Sequence, residues 1–151
     1  MELSPTDRWQ IYEVLVFMAW GDRRLVPEEI SAARSVATVL ELDDHARSPG
    51  PTLRRGPRPL AETLDPVRSP LVRQVAYATA AWMAFADLEE HPAERAVLLT
   101  LRHRLAIDDD TARWLEATAL LTTLQGRAAG RRAQYRALLH AVRDGDGALP
   151  S

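Results

Sequence analysis

WQIYEVLVFMAWGDRRLVPEEISAARSVATVLELDDHA, from Trp9 to Ala46, returns 65 positions later without a gap as QVAYATAAWMAFADLEEHPAERAVLLTLRHRLAIDDDT, from Gln74 to Thr111. Tyr12 falls on Tyr77, Met18 on Met83, Ala19 on Ala84, Asp22 on Asp87, Pro27 on Pro92, Glu29 on Glu94, Leu40 on Leu105 and Asp43-Asp44 on Asp108-Asp109. Aromatic residues also meet aromatic residues, Phe17 on Trp82 and Trp20 on Phe85. A match that keeps the helix-opening proline, the acidic pair and the exit aspartates in register is the signature of a repeated supersecondary unit.

Each copy spells a helical hairpin. Ser4-Pro5-Thr6-Asp7 opens the first helix: serine caps, proline is pre-set for the first helical position, and Asp7 suits the positive helix end. Trp9, Tyr12, Leu15, Val16 and Ala19 then recur at helical spacing, which predicts a helix over about 5–20. Gly21 and Asp22 turn the chain. Pro27-Glu28-Glu29 opens a second helix with Ile30, Ala33, Val36, Ala37 and Leu40 on one stripe. Ser69-Pro70 repeats the opening signal, and Val72, Val75, Ala76, Ala80, Met83 and Ala84 lead a helix that is apolar nearly all round. Residues 70–86 are therefore expected to be the buried centre. Pro92 opens the next helix, through Leu105; Asp108-Asp109-Asp110 precedes another over about 111–124, and a last helix over about 128–143 buries Tyr135, Leu138, Leu139 and Val142.

The expected fold is all-α: a bundle of two duplicated helical hairpins related by a pseudo-two-fold axis, plus a C-terminal helix. With 151 residues, 46% of them hydrophobic, the chain reads as one domain over 1–151. A Pro/Gly/Arg-rich internal loop lies at 48–59, where prolines forbid regular helix. The C-terminal helix and tail occupy 126–151. A formal charge of −2 supplies no field toward nucleic acid or anionic lipid, so no nucleic-acid partner is expected. The chain has no cysteine and no lysine, which excludes disulfides, thiolate metal sites, Schiff-base lysines and phosphate-loop lysines. No apolar stretch near Met1 reads as a signal segment, and Val75–Ala86 is far shorter than the roughly 20 residues of a membrane span, so a cytoplasmic protein is expected.

Two segments, Ala19-Trp20-Gly21-Asp22 through Pro27-Glu28-Glu29 and Ala84-Phe85-Ala86-Asp87 through Pro92-Ala93-Glu94, each run helix, aspartate, six residues, glutamate, helix. Over residues 8–124 this pattern resembles the TerB-like family, named for a tellurite-resistance protein. The resemblance implies an all-helical bundle, a non-enzymatic binding or scaffold role in tellurite or stress resistance, and acidic residues that bind a divalent cation. The family commonly has glycine after the aspartate, where this chain has Arg23 and Leu88.

The candidate site residues are accordingly Asp22, Glu29, Asp87 and Glu94, whose oxygens suit calcium or magnesium rather than zinc. A second reading makes the aspartates turn caps and the glutamates first-turn residues that favour the helix dipole. Asp108–Asp110, like Asp43-Asp44, reads as a helix cap. His45, His91, His103 and His140 show no metal-binding spacing, and no nucleophile elbow or glycine-rich phosphate loop is present, so no enzyme is expected. Phe17, Trp20, Trp82 and Phe85 read as core packing, and Arg127, Arg131, Arg132 and Arg136 as a solvated strip on the last helix. The partner is expected to be another protein, a second copy included. An ion-independent protein-protein adaptor, using that Arg-rich helix or an aromatic patch, is the alternative function.

Overall fold

The computed structural model describes residues 3–20, 27–42, 69–85, 92–125 and 130–145. Among them are six α-helices and no strand: α1 Pro5–Ala19, α2 Pro27–Val39, α3 Pro70–Ala84, α4 Pro92–Arg104, α5 Asp109–Gln125 and α6 Arg131–Gly145. The described chain is thus an all-helical bundle. The 48–59 segment lies outside the described residues.

Helix α3 is the centre, as its composition predicts. Every residue from Val75 to Ala84 is buried, and the helix packs against α1 most extensively, then α5 and α6. Ala76, Ala78, Ala80, Ala81 and Ala84 contribute little side-chain bulk to this helix, so large residues of its neighbours reach its backbone: Ile11, Tyr12, Leu15 and Met18 of α1 are all buried. Trp82 stacks at a tilt on Tyr135 of α6, ring centres 5.3 Å apart. Thr79 donates to the Val75 carbonyl at 2.7 Å, which uses its one hydroxyl proton, so the Tyr135 hydroxyl, 2.7 Å away, donates to Thr79. Both groups are fully enclosed, and burial pushes the Tyr135 phenol well above its ordinary pKa.

The ends of the helices follow from local chemistry. Ser4 and Asp7 form a reciprocal capping box at 3.0 Å in each direction, and Ser69 caps α3 from its side chain to the Val72 amide. Helices α2 and α4 end alike. Leu42 and Ile107 donate to the carbonyls of Ala37 and Arg102, and Glu41 and Ala106 donate to Thr38 and His103, the paired bonds of a Schellman turn. This turn needs a left-handed residue, and Glu41 (φ 58°) and Ala106 (φ 54°) supply it without being glycine. The bulk of Leu42 and Ile107, both buried, anchors the two turns.

Two boundaries differ from the sequence expectation. Helix α5 starts at Asp109 rather than about 111, because Asp108 caps it and Asp109 and Asp110 form its first turn. Helix α6 runs from Arg131 to Gly145 rather than about 128 to 143. Gly130 sits at φ 88°, outside helical space, and the helix starts directly after it. At the far end Gly145 lies against the Trp114 ring so closely that a Cβ atom would collide with it, which docks α6 onto α5. Of the expected α6 core, Tyr135, Leu138 and Val142 are buried and Leu139 is only partly so.

Two stability outcomes follow. Ala106→Gly should raise stability by about 0.5–1 kcal/mol in urea denaturation, because glycine removes the left-handed penalty while the turn hydrogen bonds persist. Tyr135→Phe should cost about 1 kcal/mol, whereas Thr79→Val, which leaves the buried phenol without an acceptor, should cost more, about 1–3 kcal/mol. Equal losses for the two variants would contradict the donor assignment.

Candidate functional site

Of the four acidic positions picked out in the sequence, Glu29 is described in full. It lies in the first turn of α2 and is buried, 4% exposed, and it is already engaged by a partner. Glu94 falls in the first turn of α4, and its side chain lies outside the described residues; Asp22 and Asp87 lie outside them altogether. Among the described residues, no three acidic or histidine side chains converge as a metal site.

The remaining acidic candidate resolves as a cap. Asp108 Oδ1 accepts the Thr111 amide at 2.7 Å, and the Thr111 hydroxyl also donates to it. These hydrogen bonds favour the charged form and hold the Asp108 carboxyl below its usual pKa, with Arg102 helping more weakly. Arg102 itself pairs with Asp109 and donates to the Ile107 carbonyl, tying the end of α4 to the start of α5. The twin Asp43-Asp44 lies outside the described residues.

Helices α3, α4 and α5 are joined by a second polar cluster. Glu116 accepts from the Tyr77 hydroxyl at 2.9 Å and from Arg95 at 2.7 Å. Burial first, then the adjacent Glu116 carboxylate, pushes the Tyr77 phenol far above its ordinary pKa, so it stays a donor. Tyr12 is pushed up to about 12 by burial and then by Glu13. Neither phenol is a proton-transfer group near neutrality. The aromatic residues before each aspartate are core material: Trp82 is buried, and Phe17, Trp20 and Phe85 pack partly buried against the same core. His103 and His140 are exposed; His45 and His91 lie outside the described residues.

The arrangement that sequence reasoning missed is a groove where the starts of α1 and α3, the end of α2 and the outer face of α6 meet. Its volume is about 290 Å³. The floor is apolar, from Leu3, Val39, Leu71, Val75 and Leu139. The rim is cationic, from Arg8, Arg136 and Arg143, with His140 beside them. Arg8 meets exposed Glu41 at 3.2 Å, and Arg143 meets Asp144 at 3.4 Å. A guanidinium only donates, so the 2.7 Å contact from Arg143 Nη2 fixes His140 Nδ1 as an acceptor and places any ring proton on Nε2. Arg136, the one member of the expected arginine strip that lines this groove, has no ion pair among the described residues. The lining comes from four helices far apart in sequence, and no spacing along the chain marks it.

A second surface feature sits on α5, where Leu120, Leu121 and Leu124 are 40–54% exposed on neighbouring faces of the helix. Leu99 of α4 is similarly exposed. Among the described residues no helix is long and apolar enough to cross a membrane.

The lowered pKa of Asp108 fixes a sign for pH dependence. A carboxyl depressed by folding contributes stability above its unfolded pKa of about 3.9 and loses it as pH falls through the folded value. Wild type should therefore exceed Asp108→Asn in urea midpoint at pH 7, with the gap closing below about pH 4; a gap constant from pH 3 to pH 7 would contradict the charged cap.

No protein-family model, curated protein or solved structure matches this chain.

Proposed function

We propose that the protein is a TerB-like, non-enzymatic cytoplasmic binding or scaffold module of tellurite or stress resistance, whose two acidic hairpin loops serve a divalent cation, calcium or magnesium. The observation that supports this reading best is the recurrence of local structure at the sequence repeat. Helices α1 and α2 begin and end 65 positions before α3 and α4, residue for residue. Both opening helices carry a serine cap and an N-terminal proline, and both closing helices end in a left-handed residue 65 positions apart. Across the bundle α1 touches α4 and α2 touches α3, the exchange that a pseudo-two-fold axis would produce. In this reading two copies of one hairpin face each other through α1 and α3, and each presents one aspartate and one glutamate to its loop.

Glu29, which already has a partner, fits this reading and the capping reading alike. A carboxylate is rarely buried unless it is hydrogen-bonded, paired or coordinated. Glu29 is buried at the end of α2 to which the loop from Asp22 leads, where the positive end of the helix dipole also favours its charge. Two carboxylates are too few for calcium, which takes 6–8 oxygens, so loop carbonyls and water complete the site.

A second reading is an ion-independent protein-protein adaptor, another copy being one partner. The exposed Leu120, Leu121 and Leu124 favour it, together with the arginines of α6. It differs from the first in being insensitive to chelators.

Melting curves with and without calcium or magnesium test the cation. An ion that binds the native state raises its melting temperature. In the ion-free protein, relief of carboxylate repulsion should make Asp22→Asn more stable than wild type while abolishing the ion-induced rise. Asp87→Asn should behave as a cap change, losing about 1 kcal/mol or less with or without ion. Absence of any rise in wild type with either ion, or loss of stability in ion-free Asp22→Asn, rejects the site and leaves Asp22 a cap.

A further inference from the structure

The α1–α2–α3–α6 groove combines two demands on an occupant. Its floor offers aliphatic side chains only, Leu3, Val39, Leu71, Val75 and Leu139, none of which can satisfy a polar ligand atom. Its rim offers guanidinium groups, which bind planar anions through paired donors. A wholly apolar ligand would leave the rim unused and cost it hydration; a small inorganic anion would leave the floor wet.

Charge balance narrows the choice further. Two of the three arginines already face a carboxylate, Arg8 with Glu41 and Arg143 with Asp144, and both of those carboxylates are more than 70% exposed. His140 Nδ1 accepts from Arg143, so any ring proton sits on Nε2. Arg136, on an exposed turn of α6, is the rim arginine with no ion pair among the described residues. An arginine without a carboxylate partner among the described residues, beside an apolar floor, matches a negative charge at the end of an apolar tail. The volume of about 290 Å³, just under the usual ligand range of about 300–1,000 Å³, suits one short alkyl chain better than two.

We propose that this groove binds a free, single-chain aliphatic carboxylate, with its alkyl tail on Leu71, Val39 and Leu139 and its carboxylate held by Arg136. Arg8 and Arg143 flank the head group, and His140 Nε2 supplies a further donor. The proposal is independent of the cation reading, because none of its residues belongs to the acidic loops.

Calorimetric titration of the full chain with hexanoate, octanoate and decanoate, beside decanol, tests it. Saturable one-to-one binding is expected, tightening by up to about fourfold per added methylene, the equivalent of about 0.8 kcal/mol. Decanol should bind at least tenfold more weakly than decanoate, since it lacks the charge. Arg136→Gln, at an exposed position that does not threaten folding, should weaken decanoate at least tenfold and leave decanol unchanged. Arg143→Gln should have a smaller effect, because Arg143 already has Asp144. Equal affinity for decanol and decanoate, indifference to Arg136→Gln, or non-saturating uptake would overturn the proposal. So would binding to phosphatidylglycerol vesicles without binding to decanoate, which would assign the rim to a lipid surface. Dimerisation of the ligand-free protein that is abolished by Arg136→Gln would assign the groove to a second copy and overturn it as well.

Discussion

The bundle depends on how closely α3 is approached by its neighbours. Its alanines remove the side-chain layer that would hold another helix at a distance, so α1, α5 and α6 pack onto it with their own large residues. The arrangement is demanding: a helix buried on all sides must satisfy every polar group internally. Thr79 does so by turning its hydroxyl proton back to the Val75 carbonyl and accepting from Tyr135, and Tyr77 does so by reaching Glu116. These two polar contacts of α3 connect it to the two C-terminal helices, and Arg73 ties its first turn to the end of α4, while the residues that α1 buries beside it, Ile11, Leu15 and Met18, are apolar. Apolar burial joins the first half of the chain to the second, and directional bonds set where α5 and α6 lie on that frame.

Much of this was legible in the sequence because the signals are local. A serine before a proline fixes a helix start within one residue, and α1 and α3 begin where those pairs predict. An apolar circumference fixes burial, and α3 is buried. The ends were less legible. Glu41 and Ala106 adopt left-handed backbone that residue type does not advertise, and the turn is held instead by the burial of Leu42 and Ile107 one residue later. Helix propensity alone puts the start of α6 too early, because Arg127 to Ala129 are good helix formers, whereas Gly130 decides the boundary by its conformation. Helical spacing points Leu139 to the core, and it is the groove that claims it.

The candidate sites divide along the same line. Acidic positions recurring in two loops can be found by sliding the sequence on itself, since a repeat preserves spacing. Of these, Glu29 alone has a described side chain, and its burial bears on both the capping and the cation readings. A groove assembled from the starts of two helices, the end of a third and the side of a fourth has no such trace. The one sequence signal it shares is the arginine strip of the last helix, which as a linear pattern looks like an ordinary solvated face. Only the tertiary position of Leu71, Val75 and Val39 beside it turns Arg136 from surface charge into a group at the edge of an apolar cavity.

The proposed duplication also accounts for why this groove lies where it does. Arg8 and Arg73 are equivalent under the 65-residue repeat, and so are Leu40 and Leu105. In the second copy Arg73 turns inward and donates to the Leu105 carbonyl at 3.3 Å, so its donors serve the helix end. In the first copy Arg8 instead reaches outward to the exposed carboxylate of Glu41, where the second copy has Ala106 and offers no charge. A small cleft of about 220 Å³ remains beside Arg73, lined by the α4–α5 turn. Beside Arg8 the facing wall is α6, which has no counterpart in the repeat and brings its own arginines and Leu139. The two corners that the 65-residue sequence match pairs therefore have different walls. The one walled by α6 carries both the apolar floor and the charge, whereas at the other the Arg73 guanidinium is spent on closing a helix end.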